Sequence, residues 1–221
     1  MKLLVLNSIR CRIADMRGRG VYSGYPDEHR CIFIHIPKAA GTSVTRTLFD
    51  CGSRHVRYTE YEKANPHKFC DYFKFSFVRN PWSRLYSAYS FLKHGGMNKM
   101  DRQWAEAILC RYPDFDNFVK GWVNPENIRS WVHFFPQHYF ICDDQLNLKM
   151  DYIGRFEQID ADMAVVQKKL SMPVQPMSKA NVTDKMDSDL SIYTEETREI
   201  VRRVYAQDIE LFHYEFGQDL K

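Results

Sequence analysis

The alternation of apolar runs with polar breaks divides this chain into strand–turn–helix units. Ile32-Phe33-Ile34-His35-Ile36 reads as a strand, Pro37–Ser43 as a turn of small residues and Val44–Phe49 as a helix. The order recurs at Phe75–Val78, a buried strand followed by a polar break and a helix over Trp82–Lys93, with Leu85, Ala88, Tyr89 and Leu92 at helical spacing. Pro81 sits where a first helical turn tolerates it, and Gly95-Gly96 ends that helix. Amphipathic helices are predicted over Asp101–Cys110 and Asp114–Trp122, their aromatics read as core. Trp131–Cys142 is aromatic and is predicted to end in a strand, Tyr139–Cys142, with a hairpin turn at Asp143–Asn147 leading to Leu148–Met150. Ile153–Glu157 is a short apolar landmark, with Glu157 read as structural, before a helix over Asp160–Leu170. Thr194 caps the last helix, with Glu195 and Glu196 in its first turn. Arg17–Arg30 reads as loop, Ser171–Ser191 as irregular, and alternation in Arg54–Tyr61 places His55, Arg57 and Thr59 on one side. With no repeat and no low-complexity tract, residues 1–221 read as a single domain, with an N-terminal extension over 1–30 and a helical insert at about 95–135.

The two turns carry the chemistry. In Pro37-Lys38-Ala39-Ala40-Gly41-Thr42-Ser43, small residues let the backbone approach an anion, and the helix N-terminus adds partial positive charge. Thr42 and Ser43 add hydroxyls, and Lys38 adds a full charge. The nucleoside-triphosphate loop G-x-x-x-x-G-K-[ST] is absent, because here the lysine precedes the glycine. An ordinary turn after a buried strand is the alternative for this stretch alone. In Val78-Arg79-Asn80-Pro81, Arg79 stands at the C-terminal end of a strand, where open parallel sheets place ligands. With Ser87 from the following helix, it suits a terminal phosphate monoester.

Together these stretches resemble the sulfotransferases that use 3′-phosphoadenosine 5′-phosphosulfate (PAPS). Pro37–Ser43 matches the family's 5′-phosphosulfate loop, and Val78-Arg79-Asn80-Pro81 with Arg84, Ser87 and Tyr89 matches its 3′-phosphate motif, about forty residues on. The resemblance covers about residues 31–215, including Tyr193–Tyr214, which is similar to the family's C-terminal pattern. One departure is Ala39-Ala40, which replaces the usual threonine between lysine and glycine. The implied fold is a three-layer α/β sandwich with a short, mainly parallel sheet, of the P-loop kinase-like kind. The implied reaction moves the sulfuryl group of PAPS to an acceptor hydroxyl by in-line displacement, leaving PAP, with Lys38 stabilising the leaving 5′-phosphate and no metal required.

Such a transfer needs a base for the hydroxyl proton. The His55-Val56-Arg57-Tyr58 setting is similar to uronyl 2-O-sulfotransferases, which makes His55 the first choice; Glu60 or Glu62 follows from relatives that use a glutamate. His35 reads as a packed histidine. Pro136-Gln137 resembles a dipeptide near the family's acceptor site, so Gln137 and His133 are acceptor candidates beside Arg57. Lys93, His94 and Lys99 either line an acceptor groove or form a solvated face, and Lys179 and Lys185 either match the family's basic loop near the nucleotide or are simply exposed lysines.

Composition narrows the setting. The net charge of +3 suits an anionic cofactor or acidic glycan without demanding nucleic acid. The six cysteines contain no C-x-x-C pair, so reduced thiols are expected rather than a disulfide framework or zinc site. The apolar run Leu3–Leu6 is too short for a secretory signal, and no run reaches membrane-spanning length. The expectation is a cytoplasmic protein of bacterial or phage type acting on a carbohydrate. The rival functions are a small nucleotide or sugar kinase, marked by Mg-dependent use of ATP, and a non-catalytic PAP-binding protein.

Overall fold

Three short parallel strands, β1 (Cys31–Ile34), β2 (Phe73–Val78) and β3 (Tyr152–Arg155), lie in the order β1-β2-β3. Phe33 stands beside Phe75, and Phe77 beside Gly154. One face of this sheet carries Cys31, Phe33, Phe75 and Phe77, which pack with Val44 and Leu48 of the helix Gly41–Phe49 and with Met163 and Val166 of the helix Ile159–Lys169. The alternate residues Ile32, Ile34, Ser76 and Val78 are buried as well. Strands covered on both faces need apolar residues at nearly every position, which is why they read as continuous runs.

The computed structural model describes residues 2–177 and 190–217. Lys179 and Lys185 lie outside the described residues. The chain divides into two units, one of Met1–Ile36, Ala40–Val78 and Gln137–Ala180, the other of Pro37–Ala39, Arg79–Pro136 and Asn181–Lys221. The sheet belongs to the first. The second is helical, built from Pro81–Lys93, Lys99–Ile108, Phe115–Trp122 and Glu195–Val204 around Leu85, Leu92, Phe118, Trp122, Phe134 and Val201. Asn80, Asn98 and Asp114 cap the first three of these helices by accepting the backbone N–H groups of Trp82, Asp101 and Asn117.

Three local expectations are overturned. Residues 17–30 are not all loop: Pro26 starts a short helix, Tyr25–His29, and the adjacent Tyr22 is buried, donating to the Tyr61 carbonyl at 3.0 Å. The alternation at 54–61 gives way to a helix, Tyr58–Ala64, because Tyr58, Tyr61 and Ala64 bury at helical spacing; Thr59 therefore does not share a strand face with His55 and Arg57. The predicted strand Tyr139–Cys142 is a single helical turn, His138–Ile141. Of the hairpin, one antiparallel bridge remains, Cys142 with Leu148. The reason is tertiary: Arg57 Nε donates to the Tyr139 carbonyl at 2.7 Å, and its guanidinium lies 3.9 Å from the ring centre. Among the described residues no helix is long and apolar enough to cross a membrane.

Candidate functional site

In the first unit the chain leaves β1 at His35, whose ring is buried. Its Nδ1 shares a 2.6 Å hydrogen bond with Ser53 Oγ, and its ring meets that of His55 edge-on, 4.3 Å between centres. The same imidazole lies on Gly41, the first residue of the helix Gly41–Phe49: a Cβ there would stand 1.8 Å from His35 Cδ2. Gly41 is thus required by the histidine packed on it. The left-handed backbone falls instead on Lys38 (φ 66°) and Ala40 (φ 64°), with Ala39 between them on the ordinary side. Alternation of that kind turns successive N–H groups to one side, the geometry of an anion nest. Ala40 holds the N-cap position and offers no side-chain acceptor to the helix. The departure Ala39-Ala40 therefore leaves the opening turn without the internal cap that Ser, Thr or Asp would provide.

Pro37–Ala39 belongs to the second unit, where two arginines hold its carbonyls. Arg84 Nε donates to Pro37 O at 2.9 Å and Nη2 to His133 O at 3.4 Å. Arg79, also buried, donates from Nη1 to Lys38 O at 3.3 Å and from Nε to Ser83 Oγ at 3.2 Å. The Lys38 ammonium rests 4.2 Å from the centre of the Phe91 ring. Arg84, Ser87 and Phe91 are spaced three and four residues apart, so one face of the helix Pro81–Lys93 carries all three. Behind Phe91 lies His133, ring centres 5.0 Å apart, with Nε2 3.1 Å from Asp101 Oδ1. Burial pushes the His133 imidazole below its ordinary pKa; Lys38 and Arg84 push it the same way, and Asp101 opposes them.

The remaining candidates divide. Thr42 and Ser43 sit half-buried in the first helical turn, and Ser87 is buried. His55 is exposed, in the irregular stretch before Tyr58. Glu60 pairs with Lys63 at 3.6 Å within the helix Tyr58–Ala64. Arg57 is engaged by Tyr139 as described. Gln137 is fully buried and His133 nearly so. Lys93 donates to Tyr89 Oη at 3.0 Å and lies two residues beyond Phe91, on the far side of their helix. It edges a separate cavity of about 380 Å³ with Arg102, Leu109 and Tyr112. Sequence reasoning misses Asp101 and Ser53: an acid in a helix's first turn reads as an ordinary capping feature, and a serine in a turn as solvated. Among the described residues no group of three His, Cys, Asp or Glu side chains could hold a metal ion.

The model of the sulfotransferase family matches residues 25–215. This chain is a member of the sulfotransferase family. Among curated sulfotransferases it is similar to carbohydrate sulfotransferase 14 of Danio rerio, 25% identical over 177 residues, covering 66% of this chain and 47% of that protein. It is also similar to carbohydrate sulfotransferase 11 of Rattus norvegicus, 26% identical over 243 aligned positions, covering 88% and 67%. An uncharacterized protein of Archaeoglobus fulgidus is 30% identical over 110 residues, covering 48% and 72%. The chain thus spans about half the length of the Danio rerio sulfotransferase. No solved structure matches it.

Proposed function

We propose that this sulfotransferase moves the sulfuryl group of PAPS to a hydroxyl of a carbohydrate, on the P-loop-like fold of its family. The observation that carries the reading is the Pro37–Ser43 loop, with φ alternating in sign, an N-cap without a side-chain acceptor, and a lysine two residues before that cap. The donor set suits the cofactor: backbone N–H groups and Lys38 for a phosphosulfate, Arg79 and Ser87 for a 3′-phosphate. When bound, PAPS supplies the sulfuryl group on a bond whose cleavage leaves charge on the 5′-phosphate.

The chain's own residues then have separable roles. Lys38 places its ammonium where the leaving oxygen gains charge. The N-terminus of the helix Gly41–Phe49 carries partial positive charge that suits an anionic group. Arg79 holds the Lys38 carbonyl and supplies the guanidinium that suits a 3′-phosphate. His55 takes the acceptor proton, with Glu60 or Glu62 as the alternative. The names of the curated relatives support a carbohydrate acceptor; the basic residues Arg54 and Arg57 around His55 favour an acidic one.

Calorimetric titration with PAP, adenosine 5′-phosphosulfate and ATP–Mg tests the pocket. Tight binding of PAP that weakens without the 3′-phosphate is expected, whereas binding of ATP–Mg alone overturns the reading in favour of a kinase. Transfer from PAPS to a panel of oligosaccharides then separates an enzyme from a PAP-binding protein. In that assay Lys38→Ala should cut turnover by about a hundredfold or more, the scale of losing a preorganised charge donor, while PAP still binds.

A further inference from the structure

A buried carboxylate–imidazole pair stands behind the residue that carries the Lys38 ammonium. Asp101 is 2% exposed and His133 8%. Asp101 Oδ2 accepts from the Met97 N–H at 3.1 Å and from Asn98 Nδ2 at 2.9 Å, while Oδ1 faces His133 Nε2. Because a carboxylate only accepts, the shared proton sits on Nε2, and the ring is fixed in orientation as well as tautomer. The preceding turn is shaped around this carboxylate: Gly96 is left-handed (φ 63°), and a Cβ there would stand 2.2 Å from Asp101 Cβ. The ring so held packs edge-on against Phe91, and Phe91 presents its face to Lys38 at 4.2 Å. His133 is tied to the loop by a second route, since Arg84 bonds both the His133 and Pro37 carbonyls.

Resting on the proposed function, we infer that Asp101 and His133 are positioning residues for Lys38, acting through the Phe91 ring. A lysine has four rotatable bonds, and ordering such a side chain gives up much of its rotamer freedom. A cation over a fixed aromatic face recovers part of that cost before the cofactor arrives. The face is useful only if the ring does not tilt, and the Asp101-anchored imidazole keeps it from tilting. The alternative is that Asp101 and His133 merely stabilise the start of the helix Lys99–Ile108, in which case their loss is indifferent to Lys38.

A double-mutant cycle on the full chain decides between them, read as PAP release from PAPS with water or mixed oligosaccharides as acceptor, beside PAP affinity by calorimetry. Phe91→Leu, which keeps an apolar side chain but removes the aromatic face, should lower turnover about three- to tenfold, the range of one such contact, with PAP affinity held within about twofold. Phe91→Tyr, which keeps the face, should retain the turnover that Phe91→Leu loses. Asp101→Asn should lower turnover in the same way, and in the Lys38→Ala background neither Phe91→Leu nor Asp101→Asn should cost anything more. Losses that persist in full beside Lys38→Ala, or a Phe91→Tyr variant as slow as Phe91→Leu, overturn the inference. If Asp101→Asn does not fold, His133→Gln takes its place in the cycle, with the same expected loss and the same dependence on Lys38. A wild-type chain that neither binds PAP nor releases it from PAPS overturns the proposed function first, and this inference with it.

Discussion

Gly41 and Arg79 show how differently two neighbours of one loop are constrained. Gly41 has no room for a methyl group because the His35 ring occupies that space. Gly41→Ala must displace a buried imidazole and its bond to Ser53, at a cost of about 1–3 kcal/mol, typical of overpacking. The melting temperature should fall accordingly, and PAP affinity should fall with it, because the helix N-terminus shifts. Arg79 holds the loop through the Lys38 carbonyl and is also the proposed 3′-phosphate ligand. Titration with two nucleotides separates these roles. Arg79→Ala should weaken PAP by about 1.5–3 kcal/mol, the scale of a charged hydrogen bond, and leave adenosine 5′-phosphosulfate much less affected. Equal losses for both would reassign Arg79 to loop support alone.

Helix ends are legible in the sequence, and their partners are not. Thr194 reads as a cap from its place before Glu195-Glu196, and it does accept the Thr197 N–H at 3.3 Å. Its reciprocal partner is the Thr197 hydroxyl, which accepts the Thr194 N–H at 3.0 Å, so the capping box closes without either glutamate. Thr194→Ala should cost about 0.5–2 kcal/mol and lower the melting temperature, since the helix Glu195–Val204 packs Val201 into the second unit's core. Tyr139–Cys142 fails as a strand because aromatic runs carry no period; Arg57, more than eighty residues away in sequence, decides the local backbone.

At the scale of the whole molecule, buried titratable side chains set the pH range of stability. His133 is held below its ordinary value of 6.5 by burial, so between the two values the unfolded chain binds the extra proton. Its contribution is complete above about pH 6.5 and is lost as pH falls through the lower, folded value. Burial raises the phenols of Tyr22, Tyr25, Tyr152, Tyr193 and Tyr205 above their ordinary value of 10.0. For these the sign reverses: stability is complete below about pH 10 and is lost as pH climbs towards the raised values. Melting temperature against pH should therefore fall on both sides of a plateau. His133→Gln should flatten the acid limb without moving the alkaline one; an unchanged acid limb would remove His133 from the account.

Local sequence alone determined the strand–turn–helix units around Pro37–Ser43 and Arg79 and the cap at Thr194. These depend on neighbours in sequence: backbone sterics, capping hydrogen bonds and the period of apolar positions. Tertiary structure decided the rest. It set His35 against Gly41 and His55, gave Lys38 an aromatic rest, withdrew Gln137 and His133 from solvent, and joined Asp101 to His133. Such contacts bring together side chains that carry no shared local pattern. A buried pair is satisfied by geometry across the fold, and the same two residue types on an exposed helix or loop would look identical in the sequence.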